Sequence, residues 1–341
     1  MPQRKHWRLW AMKHSNISIF IPHVGCPHMC SFCDQRTISG AQHLPDGNEV
    51  REICIKALSE VKSPENSEIA FFGGSFTAIP REYMLELLGA ANEFVGEGKF
   101  RGIRCSTRPD CIDREVLGIL KKYGVTAIEL GAQSMCDEVL EANERGHSAE
   151  DVRNASALIR EYGFELGLQM MTGLYQSTPE KDRATAEEII ALHPNTVRIY
   201  PVVVLKGTKL AELYTEGVYR PLPFDEMAEL CSELIVKFTA EGIAVIKCGL
   251  HASEFVEQDM VAGYYHPAFR EICEMYIYRK KTEELLAGET PGSFTVAVGR
   301  SCISRAVGQK KANTVYFRER GFNVSFVGEE DIPLYECVLR R

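Results

Sequence analysis

The chain has 341 residues, 45% of them hydrophobic and 25% charged, with a formal net charge of −8 and 12 cysteines. That length suits one large α/β barrel with an appendage, or two domains, and the composition excludes a disordered chain or a fibre. Twelve cysteines in so long a chain are too sparse for a disulfide scaffold, so they read as a reduced, cytosolic set with one metal or redox subset.

In chain order, residues 1–16 form a basic N-terminal segment, with Trp7 and Trp10 interleaved among Arg4, Lys5 and Arg8. It lacks an apolar signal core, and no stretch elsewhere is long and apolar enough to span a bilayer, so a cytoplasmic protein without membrane contact is expected. Strands are predicted at 17–21, 69–72, 103–106, 127–130, 165–170, 196–201 and 243–247. Helices are predicted between them at 50–61, 81–95, 113–123, 149–161, 179–192 and 225–241. Pro179 after Thr178 suits a first helical turn, and Gly124, Gly163 and Gly242 suit helix ends. This alternation predicts a parallel sheet with right-handed crossovers, and its repeat number suits a partial (β/α)6 TIM-type barrel over 17–260.

Residues 261–341 break the pattern and read as a small C-terminal α/β extension. A helix to Leu286 precedes a strand at 294–298, one basic helix over 301–320, and strands at 323–327 and 334–339. Arg300, Arg305, Lys310, Lys311, Arg318 and Arg320 against Glu319 give 300–320 a charge of +5. The acidic total therefore conceals two basic ends, which suit either solvated helix faces or a nucleic-acid footprint.

Barrel chemistry sits at the carboxyl ends of strands. Those ends carry VGCPHMCSFCDQR, GGSF, TRPD, GAQS and MTGL. Cys26, Cys30 and Cys33 form CxxxCxxC after the first strand. Three thiolates in one loop can face one inorganic centre and leave a position open, which marks a catalytic rather than a closed structural site. Zinc completed by His23 or His28, a redox CxxC that leaves Cys26 idle, and chance clustering of buried thiols are the other readings. The nine remaining cysteines, from Cys54 to Cys337, show no second cluster and read mostly as core filler.

With Phe32 before its last cysteine, the CxxxCxFC string resembles that of the radical S-adenosylmethionine (radical SAM) superfamily. The resemblance implies a [4Fe–4S] cluster on Cys26, Cys30 and Cys33, SAM on the fourth iron, and an external electron donor. It implies SAM cleavage to a 5′-deoxyadenosyl radical. It also implies SAM-site residues at Phe32, at Gly73, Gly74 and Ser75 (amino group), and at Thr107 and Arg108 (carboxylate). Glu129, Gln133 and Ser134 would meet the ribose, and Gly173 the adenine.

A narrower resemblance runs from about Ile19 to Gly321. FFGGSFT, STRPD, ELGAQS, ERGHSAEDV, RIYPVVVLKGTKL and GVYRPL are similar to the radical-SAM region of Elongator-type catalytic subunits, which modify the wobble uridine of tRNA. In those proteins an acetyltransferase domain follows. This sequence ends at Arg341, so the expectation is the radical step without carboxymethyl transfer from acetyl-CoA. The expected substrate is tRNA or another RNA, held through Arg4, Lys5, Arg8, Arg300, Arg305, Lys310 and Lys311. A small molecule such as a tetrapyrrole, or a non-catalytic iron–sulfur scaffold, are the alternatives. Arg145, Tyr200 and Lys206 are the catalytic candidates. Arg145 and His147 share a loop past strand four that either reaches SAM or substrate or is merely solvated, and Tyr200 and Lys206 lie near the end of strand six. His251 reads as a polar strand-end residue.

Overall fold

The computed structural model describes residues 15–340 apart from 23, 25, 27, 28, 41 and 42. Arg4, Lys5, Arg8, Trp7, Trp10, His23 and His28 therefore lie outside the described residues. The first six strands are β1 (Ser15–Ile21), β2 (Ser67–Gly73), β3 (Gly102–Thr107), β4 (Val125–Gln133), β5 (Glu165–Thr172) and β6 (Thr196–Pro201). A short β7 (Val203–Leu205) leaves the sheet, and β8 (Ala244–Cys248) completes it. The order is β1-β2-β3-β4-β5-β6-β8, with every pair parallel. An order that never reverses is that of a barrel, since a doubly wound sheet switches direction at one point. β1 and β8 do not pair, so the barrel is open.

Between the strands run α1 (Gln35–Ser39), α2 (Gly47–Glu60), α3 (Arg81–Asn92), α4 (Arg114–Lys122) and α5 (Asp137–Ala142). They are followed by α6 (Ala149–Glu161), α7 (Pro179–Ala191), α8 (Lys209–Thr215) and α9 (Phe224–Ala240). Several starts are written in the sequence. Asp46 with Glu49, and Ser148 with Asp151, form capping boxes that satisfy otherwise orphaned amides. Thr178 caps α7 ahead of Pro179.

Strand residues divide by period two. Ile69, Phe71, Ile103, Ile128, Leu166 and Val197 are apolar and wholly buried. The alternate positions carry Glu68, Arg104, Glu129 and Arg198, whose charges neutralise one another across the strands, and Gln169, whose amide donates to Glu129. That polar floor could have been read from single charges set inside otherwise apolar strands, as in IRCST, AIELG and VRIYP.

After the barrel come α10 (Glu254–Asp259), β9 (Met260–Gly263), which pairs antiparallel with β7, and α11 (Phe269–Leu286), which packs on α9. A three-stranded sheet of order β11-β10-β12 follows, built from β10 (Gly292–Gly299), β11 (Phe322–Glu329) and β12 (Cys337–Arg340). The expected single basic helix over 301–320 is instead broken into α12 (Ile303–Val307) and α13 (Ala312–Glu319). Gly308, Lys310 and Lys311 all have positive φ between them. A Cβ on Gly308 would lie 2.6 Å from Met275 on α11, so the close packing of that turn requires glycine. The last strand is shorter than predicted, because Tyr335 turns the chain at φ +62° with its side chain buried.

One apolar core runs from the barrel through α11 into the small sheet. It also corrects one reading of the cysteines. Cys231, Cys248 and Cys273, scattered in sequence, meet as free thiols in the core between α9, β8 and α11. No helix among the described residues is long and apolar enough to cross a membrane.

Candidate cofactor site at the strand ends

The cysteine loop leaves β1 and is fixed at both ends. At its base, the Gly74 amide donates to the Ile21 carbonyl at 2.8 Å. A Cβ on Gly73, whose φ is +120°, would lie 2.5 Å from the Ile21 oxygen, and one on Gly74 would lie 2.3 Å from the Val24 oxygen. The glycine pair thus admits the loop's own backbone, a reason for glycine in addition to any approach by SAM. At the far end, the Ser31 amide and hydroxyl donate to the backbone oxygen (3.1 Å) and side-chain oxygen (2.9 Å) of Asn143. The Leu210 amide donates to the Ser31 carbonyl at 2.8 Å. Phe32 packs into the core, and the Cys33 amide closes a turn onto the Cys30 carbonyl at 3.1 Å. Ser31 and Asn143 carry no sequence signal, because their partnership spans 112 positions.

Cys30 is buried, Cys33 half-buried and Cys26 exposed. Arg145 joins them: its Nη1 donates to the Cys30 sulfur at 3.2 Å and its Nη2 to the Gly131 carbonyl at 2.6 Å. Arg108 binds Asp110 bidentately at 2.9 Å and also donates to the Arg145 carbonyl at 2.5 Å. Desolvation and then the Cys30 thiol push the Cys26 pKa up, while the Ser75 backbone, Arg108 and Arg145 pull it back. Among the described residues no three His, Cys, Asp or Glu side chains converge as a single metal ion would need. A four-iron cluster sets a different demand, since each thiolate binds its own iron.

Among the described residues, four buried polar atoms of this region have no protein partner: Arg108 Nη1, Arg145 Nε, Gln133 Oε1 and His147 Nδ1. Gln133 and Arg145 flank Gly131, where an added Cβ would meet their side chains at 3.0 and 3.3 Å. His147 Nε2 lies 3.2 Å from the Ala132 carbonyl, which only accepts, so Nε2 carries the proton and Nδ1 is an acceptor. Burial, then Arg145 and Arg108, push the His147 pKa down to about 4, so the ring is neutral. Two donors on arginines and two neutral acceptors suit a ligand with a carboxylate and with ammonium or hydroxyl groups. Both Arg145 and His147 are 7% exposed, so these two side chains turn inward from a loop whose Glu144 and Gly146 are exposed.

Other expected contacts are redirected. The Glu129 carboxylate is taken up by Arg198 at 2.6 and 2.9 Å, Gln169 at 2.9 Å and Arg104 at 3.4 Å, so both of its oxygens already have protein partners. Ser75 and Thr107 hydrogen-bond to each other at 2.9 Å and continue through Thr77 to the Cys111 carbonyl. Ser134 meets Thr185 at 3.2 Å and accepts from the Cys136 amide. These three hydroxyls brace the strand-end loops. Gly173 turns at φ +73°, held by the Asp182 carboxylate on its amide (2.9 Å) and the Tyr219 hydroxyl on its carbonyl (2.6 Å).

Tyr200 is half-buried on the polar face beside Arg198, and burial raises its pKa. Lys206 is not at the end of β6. It follows β7, and its exposed ammonium donates to the Gln258 carbonyl at 2.7 Å. His251 is half-buried, with its ring 6.3 Å from that of Phe20. In the extension, Arg300 pairs with Glu330 and Arg305 with the buried Glu274, while Lys310 and Lys311 stand exposed.

An open parallel barrel with a three-cysteine loop at its strand ends defines a class, and comparison with known proteins gives the same class. The sequence profile of the radical SAM superfamily matches residues 20–189, and that of the radical SAM C-terminal domain matches 194–279. The chain belongs to the radical SAM superfamily, whose members of this kind are enzymes. It is 31% identical over 248 residues to the tRNA uridine(34) acetyltransferase of Methanocaldococcus jannaschii, covering 61% of this chain and 46% of that one. It is 28% identical over 193 residues to Elongator complex protein 3 of Saccharomyces cerevisiae, covering 51% and 35% respectively. The chain thus spans half or less of the length of these curated relatives. The solved structure of an N-terminally deleted archaeal Elp3 from Methanocaldococcus infernus shares the fold at a TM-score of 0.55 and 23% identity, over 72% of this chain and 61% of that one.

Proposed function

We propose that this chain holds a [4Fe–4S] cluster through Cys26, Cys30 and Cys33, cleaves SAM, and uses the resulting radical to modify a tRNA at or near its wobble uridine. The observation that carries the cofactor reading is the set of four unpartnered buried atoms on Arg108, Arg145, Gln133 and His147 around the thiol loop. Bound cluster and SAM would supply reductive cleavage to methionine and a 5′-deoxyadenosyl radical, given an external electron donor.

The residues of the chain bind and orient. Arg108 and Arg145 would take the SAM carboxylate, while Gln133 and His147 would accept from its amino or ribose groups. Gly173, fixed by Asp182 and Tyr219, would present its turn to the adenine. The buried surroundings of Arg145 and His147 exclude water and strengthen these bonds. The tRNA reading is supported by the named activity of the acetyltransferase relative and by the exposed lysine pair of the extension. Residues 261–341 are then an extension that presents Lys310 and Lys311 to RNA.

A binding series against tRNA in rising salt, with nucleoside mass spectrometry of treated tRNA, tests the substrate. Each phosphate contact contributes about 0.7 to 0.9 to the log–log salt slope, so Lys310→Gln with Lys311→Gln should lower its magnitude by about 1.4 to 1.8. No binding at low salt, or an unchanged slope, counts against this reading.

A further inference from the structure

We propose that Arg145 sets the reduction potential of the cluster by donating a hydrogen bond to the Cys30 thiolate. The inference rests on the cluster reading above and deepens it. Arg145 is held through its backbone and through both terminal nitrogens of its guanidinium. Its amide donates to the Leu140 carbonyl at 3.0 Å, and its carbonyl accepts from Arg108. Its Nη2 donates to Gly131, and its Nη1 points at the Cys30 sulfur at 3.2 Å. It is 7% exposed.

Its charge distinguishes it from the other buried arginines. Arg108 faces Asp110, and Arg104 and Arg198 share Glu129, but Arg145 forms no ion pair with a carboxylate among the described residues. A buried guanidinium without a counter-charge is costly, and removing that cost requires an anion at the place it points to. The thiolate of Cys30 is that anion. Adding an electron to a thiolate-bound cluster increases negative charge on its sulfurs, so a fixed cationic donor favours the reduced state and raises the potential. Arg145 in this sense is a positioning residue for the cluster, and its effect is present before SAM binds.

The test uses the full chain, reconstituted anaerobically without SAM and titrated with titanium(III) citrate while the reduced cluster is followed by electron paramagnetic resonance. Arg145→Gln keeps much of the volume and loses the charge. At a fixed potential its reduced-to-oxidised ratio should fall about tenfold, a negative shift of about 59 mV for one electron. Arg145→Lys keeps the charge and loses the two-pronged donation to Cys30 and Gly131, so a smaller shift of the same sign is expected. Arg153→Gln, on the exposed face of α6, should keep the wild-type midpoint. If Arg145→Gln loses iron, Arg145→Lys decides alone. A wild-type midpoint in either Arg145 variant that retains four irons overturns the proposal. A wild-type chain that binds no four-iron cluster instead overturns the cluster reading, so the two failures are distinct.

Discussion

Glu129 is the residue whose expected role the structure changes most, and its replacement tests that change. Its side chain is 1% exposed and neutralises Arg198 bidentately, with Arg104 as a second partner. Burial alone would raise its pKa, but Arg198, Arg104 and Gln169 more than offset this and hold it below the usual carboxylate value. Removing the carboxylate affects the two arginines unequally. Arg104 keeps Glu68 at 2.7 Å, whereas among the described residues Arg198 keeps the ring of Phe72 at 5.1 Å and its neighbour Tyr200. Breaking a buried pair from one side costs about 3–5 kcal/mol. Because Arg104 retains a partner, Glu129→Gln should cost about 3 kcal/mol, and Glu129→Ala, which also leaves a cavity, about 5 kcal/mol. Urea unfolding reads this as a lower midpoint at constant slope. Glu129→Gln with Arg198→Gln should cost less than the sum of the single changes, because neither charge is then stranded. With its folded pKa below the unfolded value, Glu129 contributes stability above about pH 4 that is lost as pH falls through the folded value. A cost under about 1 kcal/mol for Glu129→Gln, or strict additivity in the double variant, refutes the reasoning.

Other consequences follow from the same geometry. Gly74→Ala puts a methyl 2.3 Å from the Val24 carbonyl, a backbone atom that cannot swing aside, so it should displace the cysteine loop. The expected cost is about 1–3 kcal/mol, with reduced iron per chain after reconstitution; full iron content would contradict it. Burial lifts Asp182 to about 7, against the Ser177 hydroxyl and the Gly173 amide, which favour its charged form. Its folded pKa is thus above the unfolded value, so the protonated carboxyl stabilises the fold below about pH 4 and that contribution is lost as pH rises through about 7. Relative to Asp182→Asn, the wild type should lose on the order of 4 kcal/mol between pH 4 and 8, and parallel pH profiles would count against the shift.

The parallel order and most strand and helix positions were legible because the apolar period changes cleanly between two and 3.6, and because caps such as Thr178-Pro179 are local. The thiol loop was legible because its three cysteines lie within eight residues. What was hidden depends on long-range pairing. Asn143 holds Ser31 across 112 positions, and Arg145 reaches Cys30 across 115. The break in the basic helix coincides with positive φ at Gly308, Lys310 and Lys311, beside a close approach of Gly308 to Met275 that no local pattern records. The meeting of Cys231, Cys248 and Cys273 likewise needs three separate elements to pack first. Glu129 shows the opposite case: its motif is local and suggestive, while the arginines that occupy its carboxylate lie 25 and 69 positions away.

The most direct test of the central claim is release of 5′-deoxyadenosine by the anaerobically reconstituted chain given SAM and a strong reductant. The wild type should release it, and release should be lost when Cys26, Cys30 or Cys33 is singly changed to Ala in a chain that still folds. Continued release from any of those variants, or a wild type that binds iron yet leaves SAM intact, would contradict it.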